Sequence, residues 1–381
     1  MPSSKPTPLQ IAVFACGPVT PAQAKAASLS EGVQGTQELF SNFISDYCFK
    51  GANPYNSGGN VINPELAKIT DGLQFSVWDV LGGEPCDVDE KRTFIDDDPR
   101  FPSEAILNTI DVIIISGSEA SVRYWKTDSS DPSKITPDGK PVWEGKIKRL
   151  QKYLRYVIDQ TDRGEKDTRV FASCFGHQIL SFSCGNAVGL NPKGWEVGPT
   201  RIRLNDLGKS VFKGSQGFLT LQEIHRDYVC LNSNAGGGEY EGGPPRSEED
   251  VVIDDSIDRV VGLDCWGKSD LTPNQGMIKF LGTQKPKEAL KSAKNYFEAL
   301  EKAHIFTTQG HPEFNRESMA DLIQECLETA DNKGGIPKDV ADAALKENDR
   351  KDIEISYESI ALVWWLMLKG AYEAKNGKIA L

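Results

Sequence analysis

The chain has 381 residues, with 43 Lys and Arg against 55 Asp and Glu, for a formal net charge of −12. That length allows one large domain or two ordinary ones, and 39% apolar with 26% charged residues excludes wholesale disorder. The acidic balance weighs against a nucleic-acid partner, which needs clustered Lys and Arg. Only four histidines occur, His177, His225, His304 and His311, so a multi-histidine metal centre is all but excluded. Eight cysteines at irregular spacing, with no CxxC pair, support neither a disulfide scaffold nor a zinc ribbon. The amino terminus lacks the apolar core of a secretory signal. The most apolar run, ALVWWLML at 361–368, falls far short of the ~20 residues that a membrane helix needs. A reduced, cytoplasmic protein with no membrane partner is expected.

Short β-branched runs alternate with longer amphipathic ones, which predicts a parallel α/β sheet. Residues 11–16 (IAVFAC) read as a first buried strand closed by Gly17-Pro18. Residues 37–49 have helical spacing, with Leu39, Phe40, Phe43, Ile44 and Tyr47 on one side. Residues 73–81 form a second strand, ended by Gly82-Gly83, and 110–116 (IDVIIIS) a third that runs into Gly117-Ser118. Residues 143–159 are a helix with Leu150, Leu154, Val157 and Ile158 apolar. A fourth strand, 168–173, leads into Cys174 and a helix to about 184.

The second half is less regular. Residues 200–204 and 217–222 read as short meander strands, whereas 222–229 (QEIHRDYV) is too polar for an ordinary strand. Residues 234–247 are a Gly/Pro/acid loop, and 251–261 is acidic and β-branched. Pro286 starts a helix over 287–302. Residues 305–310 form a last strand leading into His311-Pro312-Glu313-Phe314, followed by a helix to about 329, a break at 334–337 and a helical tail with Trp364-Trp365.

A strand, a sharp turn carrying a nucleophile and then a helix presents a reactive side chain at the carboxyl edge of a parallel sheet. Here the turn is Ala172-Ser173-Cys174-Phe175-Gly176, with small residues two before and two after the cysteine. At a helix amino terminus the backbone N–H groups and dipole stabilise a thiolate. A thiolate nucleophile needs an imidazole relay oriented by a carboxylate. His311 has Glu313 two positions on, and an extended backbone puts both on one side. His177, on the cysteine's own helix, reads as packing against the sheet, His304 as surface or core filler, and His225 as a candidate pocket wall.

CFGHQ at 174–178 and QGHPEF at 309–314 together resemble class I glutamine amidotransferases. The resemblance covers roughly 9–230 and 304–328, including Gly117-Ser118, the stretch 191–198 and His225-Arg226-Asp227-Tyr228-Val229. It implies a flavodoxin-like α/β fold, a central mostly parallel sheet flanked by helices. It also implies a Cys174–His311–Glu313 triad attacking a side-chain amide, an oxyanion site from Gly117, Ser118 and Phe175, and substrate contacts from Gln178, His225, Arg226, Asp227 and Tyr228. Ala172 replaces the usual first glycine of the turn, and the oxyanion loop reads Ser116-Gly117-Ser118-Glu119. Arg226 stands where many members have glycine, either to bind a substrate carboxylate or as ion-pair partner of Asp227. The last two departures resemble the stand-alone branch that includes γ-glutamyl peptidases and fungal amidotransferase-like proteins.

Residues 1–330 are therefore expected as the catalytic domain, with an insertion over about 231–303, and 331–381 as a carboxyl-terminal helical extension. Neither GxxxxGK[ST] nor GxGxxG occurs, so no cofactor and no means of activating an acceptor are expected. The expected activity is thiol-dependent hydrolysis of a small γ-glutamyl amide through a thioester. The alternatives are amide transfer with a synthetase partner and, from another class, a non-catalytic binding protein.

Overall fold

The computed structural model describes residues 6–17, 19–20, 23–25, 28–51, 69, 72–82, 98–123, 142–230, 251–252, 254, 256–282, 285–292, 296–327 and 335–377. The Gly/Pro/acid loop at 234–247, Cys86 and the expected turn residues Pro18 and Gly83 lie outside the described residues. The first half runs β1 (Leu9–Ala15), α1 (Gly32–Phe43) with a wider π-type continuation (Ile44–Gly51), β2 (Leu73–Asp79), α2 (Glu104–Leu107), β3 (Val112–Ile115), α3 (Val142–Asp162), β4 (Arg169–Ser173) and α4 (Phe175–Ser183). Next come β5 (Val188–Leu190), β6 (Glu196–Leu204), α5 (Asp206–Val211), β7 (Phe218–His225), β8 (Asp227–Val229) and β9 (Val251–Val252). The rest is β10 (Asp264–Cys265), β11 (Gly267–Lys268), β12 (Met277–Phe280), α6 (Pro286–Ser292), α7 (Tyr296–Leu300), β13 (Ala303–Thr308), α8 (Arg316–Glu325), α9 (Lys338–Asn348) and α10 (Tyr357–Asn376).

A seven-stranded sheet, ordered β10-β12-β13-β4-β3-β1-β2, forms the middle layer. The pairs from β2 to β13 are parallel, and β12 and β10 close one edge antiparallel. Every residue of β3, β4 and β13 is buried, as both faces of a parallel sheet must be. Alternate side chains divide between two cores. Leu9, Ile11, Val13 and Phe171 meet α1 and α10 on one side. Ala12, Phe14, Ile113 and Val170 meet α3 and α4 on the other. Two three-stranded sheets, β11-β6-β7 and β8-β5-β9, flank this body.

The expected α/β class and mostly parallel sheet are therefore present, but three stretches differ from the sequence reading. The segment placed as an insertion supplies β10 and β12 to the central sheet itself. β7 continues through the polar residues Gln222, Glu223 and His225, all buried, because their side chains are met by other polar groups inside the protein. The tail is not peripheral. α10 buries Ile360–Leu368 almost without interruption, as a helix that is apolar all round must. Trp364 stacks on Phe171 of β4 at 4.2 Å between ring centroids and meets Phe43 edge-on at 5.2 Å. Among the described residues no helix is long and apolar enough to cross a membrane.

Candidate active site

Three adjacent parallel strands, β3, β4 and β13, end at the same edge of the sheet, with Ile115 beside Ala172 and Ser173 beside Thr308. Their carboxyl ends therefore deliver Gly117, Cys174 and His311 to one place. Cys174 follows β4 directly and precedes the first residue of α4, with φ 51° and ψ −112°. It is one of two non-glycine residues with positive φ among those described, a conformation that costs on the order of 1–3 kcal/mol. Its amide donates to Thr308 O at 2.9 Å, and its side chain makes no capping bond to the helix. The tight turn needs a small residue at 176, because a Cβ there would lie 2.4 Å from Ile115 O.

His311 leaves β13 by a similarly constrained path. Its N–H donates to Gln222 O at 2.8 Å, and its ring stacks on Phe314 with centroids 4.7 Å apart. Asn315 then caps α8 through Ser318 N at 2.9 Å, and the Tyr357 hydroxyl of α10 donates to Phe314 O at 2.9 Å. Nδ1 of His311 meets Glu313 Oε1 at 2.8 Å, and Ser173 Oγ donates to the same oxygen at 3.1 Å. Nδ1 thus carries the proton in the neutral ring and Nε2 has no partner. Burial lowers the imidazolium's pKa, but the Glu313 carboxylate and Cys174 offset this and carry His311 up to about 10.

Gly117 separates the Cys174 and His311 side chains. A Cβ at 117 would lie 2.7 Å from His311 Cε1 and 3.5 Å from the Cys174 Cβ, so glycine alone allows both to stand this close. The N–H groups of Gly117 and Ser118 make no hydrogen bond among the described residues, and Ser118 Oγ is spent on Cys16 O at 2.7 Å. Phe175 N–H, at the first helical position, has no intrahelical acceptor. Cys174 Sγ donates a long, weak hydrogen bond to Ile224 O at 3.9 Å. Burial holds the thiols of Cys184, Cys265 and Cys326 up at about 12.

No protein-family model matches the chain. Over 191 residues, half of this chain and 54% of the relative, it is 24% identical to a candidate glutamine amidotransferase of Saccharomyces cerevisiae. Over 127 residues, 33% of this chain and 42% of the relative, it is 28% identical to a candidate glutamine amidotransferase-like protein of Schizosaccharomyces pombe. Over these stretches the chain is similar to glutamine amidotransferase-like proteins. Its matches span about half the length of these curated relatives. Among solved structures, a glutamine amidotransferase of Thermotoga maritima aligns over 96% of this chain and 98% of its own, with 11% identity and a TM-score of 0.45.

The residues expected around a substrate divide into two groups. Gln178 and His225 turn inward. Gln178 Nε2 donates to Asp227 O at 2.9 Å, while His225 Nδ1 donates to the same oxygen and Nε2 faces Glu196 Oε2 at 3.0 Å. Tyr228 is buried within β8. Asp227 pairs with Arg123 at 3.1 Å and accepts from Ser121, so the reading of Arg226 as its ion-pair partner is corrected. Arg226 keeps a buried Nε without a hydrogen-bond partner. His177 and His304 are fully buried. His177 Nδ1 meets Thr307 Oγ1 at 2.8 Å and burial lowers its pKa to about 3; neither ring nitrogen of His304 has a partner.

Sequence reasoning missed the polar groups behind the site. Glu196, Glu223 and His225 bring three ligand-type atoms within 4.8 Å of one another. Those of Glu196 and His225 are spent on each other, since Glu196 also accepts from Ser269 and, at 2.7 Å, from Gln275. Burial lowers the His225 pKa, but the two carboxylates outweigh it and hold the imidazole charged; Glu196 stays ionised against its own desolvation. The signs of this cluster in the sequence were the polarity of 222–225 and the reading of His225 as a pocket wall; Glu196 and Glu223 carried none of their own.

Proposed function

We propose that this protein is a cysteine-dependent hydrolase that cleaves a γ-glutamyl amide through a thioester at Cys174. One observation carries the reading: a cysteine held at positive φ on a strand-to-helix turn stands across a single glycine from a histidine. That histidine's Nδ1 is engaged by Glu313, and its buried Nε2 has no hydrogen-bond partner among the described residues. With the thiol proton already held on His311 Nε2, the Cys174 sulfur attacks the amide carbon. The tetrahedral oxyanion is met by the N–H groups of Phe175 and of the Gly117-Ser118 loop, a contribution of on the order of 10²–10³ in rate per donor. His311 then gives its proton to the departing amine, which leaves the thioester. A water molecule, losing a proton to His311, attacks the thioester carbon and restores the thiol while the glutamyl acid departs. The uncommitted Nε of Arg226 supports recognition of a carboxylate on the substrate. Hydrogen-bond distances between sulfur and imidazole tighten when substrate fills such a site.

The test is glutamate release from glutamine, glutathione and a γ-glutamyl anilide, wild type against Cys174→Ala, with diazo-oxo-norleucine to trap the sulfur. Release from no substrate, together with no trapped adduct, overturns the proposal. The second reading, transfer of the released ammonia to an acceptor, is favoured by the relatives' description as amidotransferases. It predicts turnover of glutamine alone, stimulated by a synthetase partner.

A further inference from the structure

Glu223 lies in β7, fully buried, and neither carboxylate oxygen makes a hydrogen bond among the described residues. Oε2 stands 3.4 Å from His225 Nε2, an ion-pair contact. Oε1 rests against the backbone just before His311, where a Cβ on Gly310 would come within 2.4 Å of it. The carbonyl of the preceding residue, Gln222, holds the His311 N–H. The same short piece of β7 therefore fixes the histidine's backbone and sets a charge-bearing group against Gly310, the residue before it. A buried carboxylate without donors is costly and finds its compensation in nearby positive charge. The ionisable groups facing it are His225 on its own strand, Glu196 on β6 and His311 after β13. From the opposite face of β7, α8 contributes Met319 and Ile323, clustered with Ile224.

We propose that Glu223 is a positioning residue for this site: its carboxylate, seated under Gly310 by His225, governs the proton held by His311. The inference rests on the thiol-hydrolase reading for its consequence in catalysis, but not for its geometry. Ionised, Glu223 favours the imidazolium that forms when Cys174 loses its proton; neutral, it withdraws that support. Burial raises the Glu223 pKa, and although His225 and His311 oppose this, it titrates at about 7, where the change is felt near neutrality.

The test compares wild type, Glu223→Gln and Glu223→Asp over pH 5–10. It measures glutamate release and the rate of iodoacetamide alkylation at Cys174, with Cys174→Ala as the blank. The wild type is expected to show an inflection near pH 7 that Glu223→Gln lacks. In Glu223→Gln the alkaline limb should move down by about one pH unit, the order expected for one buried charge facing another, and Glu223→Asp should restore part of it. Superimposable wild-type and Glu223→Gln profiles overturn the inference. If Glu223→Gln does not fold, NMR of histidine 13Cε1 in the wild type decides, since four signals are readily assigned. A second inflection of His311 near pH 7 supports the role, and a single-step titration overturns it. Failure of the hydrolase reading is distinguishable, because a wild type that releases no glutamate still reports His311 by NMR.

Discussion

The separation of Cys174 from His311 by one glycine makes a sharp prediction for Gly117→Ala. The added methyl carbon would lie 2.7 Å from His311 Cε1, about 0.8 Å inside the ~3.5 Å at which two carbons sit comfortably. The ring has little room to yield, being bonded to Glu313 at 2.8 Å and stacked on Phe314. Displacement by most of that overlap moves Nε2 away from the sulfur, and a misplacement of ~1 Å costs about 10²-fold in rate. That corresponds to ~2.7 kcal/mol of transition-state stabilisation at 1.36 kcal/mol per decade. Position 117 is not among the positive-φ residues, so its backbone accepts alanine and the fold should lose no more than ~1–3 kcal/mol. The assay is kcat and KM for glutamate release beside the urea unfolding midpoint, expecting kcat to fall and KM to hold. A folded variant with wild-type kcat/KM would refute the close approach or its relevance.

Replacing Cys174 by glycine should abolish turnover yet leave a protein about 1 kcal/mol more stable than Cys174→Ala, because glycine occupies φ 51° without strain; paired denaturation curves decide. Trp364→Ala should cost ~3–5 kcal/mol by emptying the space between Phe171 and Phe43, and a loss below 1 kcal/mol in chemical unfolding would contradict the described core. His177 and His304 are both buried with their pKa depressed, His177 to about 3. Below the ordinary histidine value the unfolded chain binds protons that the folded one refuses. Stability should therefore fall as pH drops from ~6.5 toward ~3, by up to about 1.4 kcal/mol per pH unit for each group. His304→Leu should reduce the proton uptake on unfolding at pH 5 by close to one, and an unchanged uptake would refute the buried neutral assignment.

Legibility in the sequence tracked how local the determining physics was. The run from β4 through Cys174 into α4 is written in contiguous residues, an apolar strand, small residues at 172 and 176, then a helix. The His311-to-Glu313 pair is equally local, since two-residue spacing on extended backbone suffices to join them. What escaped notice depends on partners distant in the chain. β10 and β12 are edge strands of only two and four residues, and their place in the sheet is set by pairing of β12 with β13 and of β10 with β12. Glu223 reads as a surface residue until Glu196, 27 positions earlier in the alignment of β6 with β7, and Gly310 close around it. The run 361–368 looked like a terminal annex because periodicity has nothing to report when every face of a helix is apolar.

The placement of α10 also has a temporal consequence. The sheet strands and their flanking helices emerge from a ribosome before residues 357–376, yet Phe171, Phe40 and Val13 share one cluster with Trp364 and Trp365. Until that helix arrives, one face of the sheet presents an open apolar floor. Such a nascent chain must wait, folded on one side only, and is exposed to aggregation or in need of a chaperone throughout the delay. The same helix pins the loop after His311 through Tyr357, so competence at the Cys174 edge is acquired last. Synthesis itself thus places completion of that edge after closure of the fold.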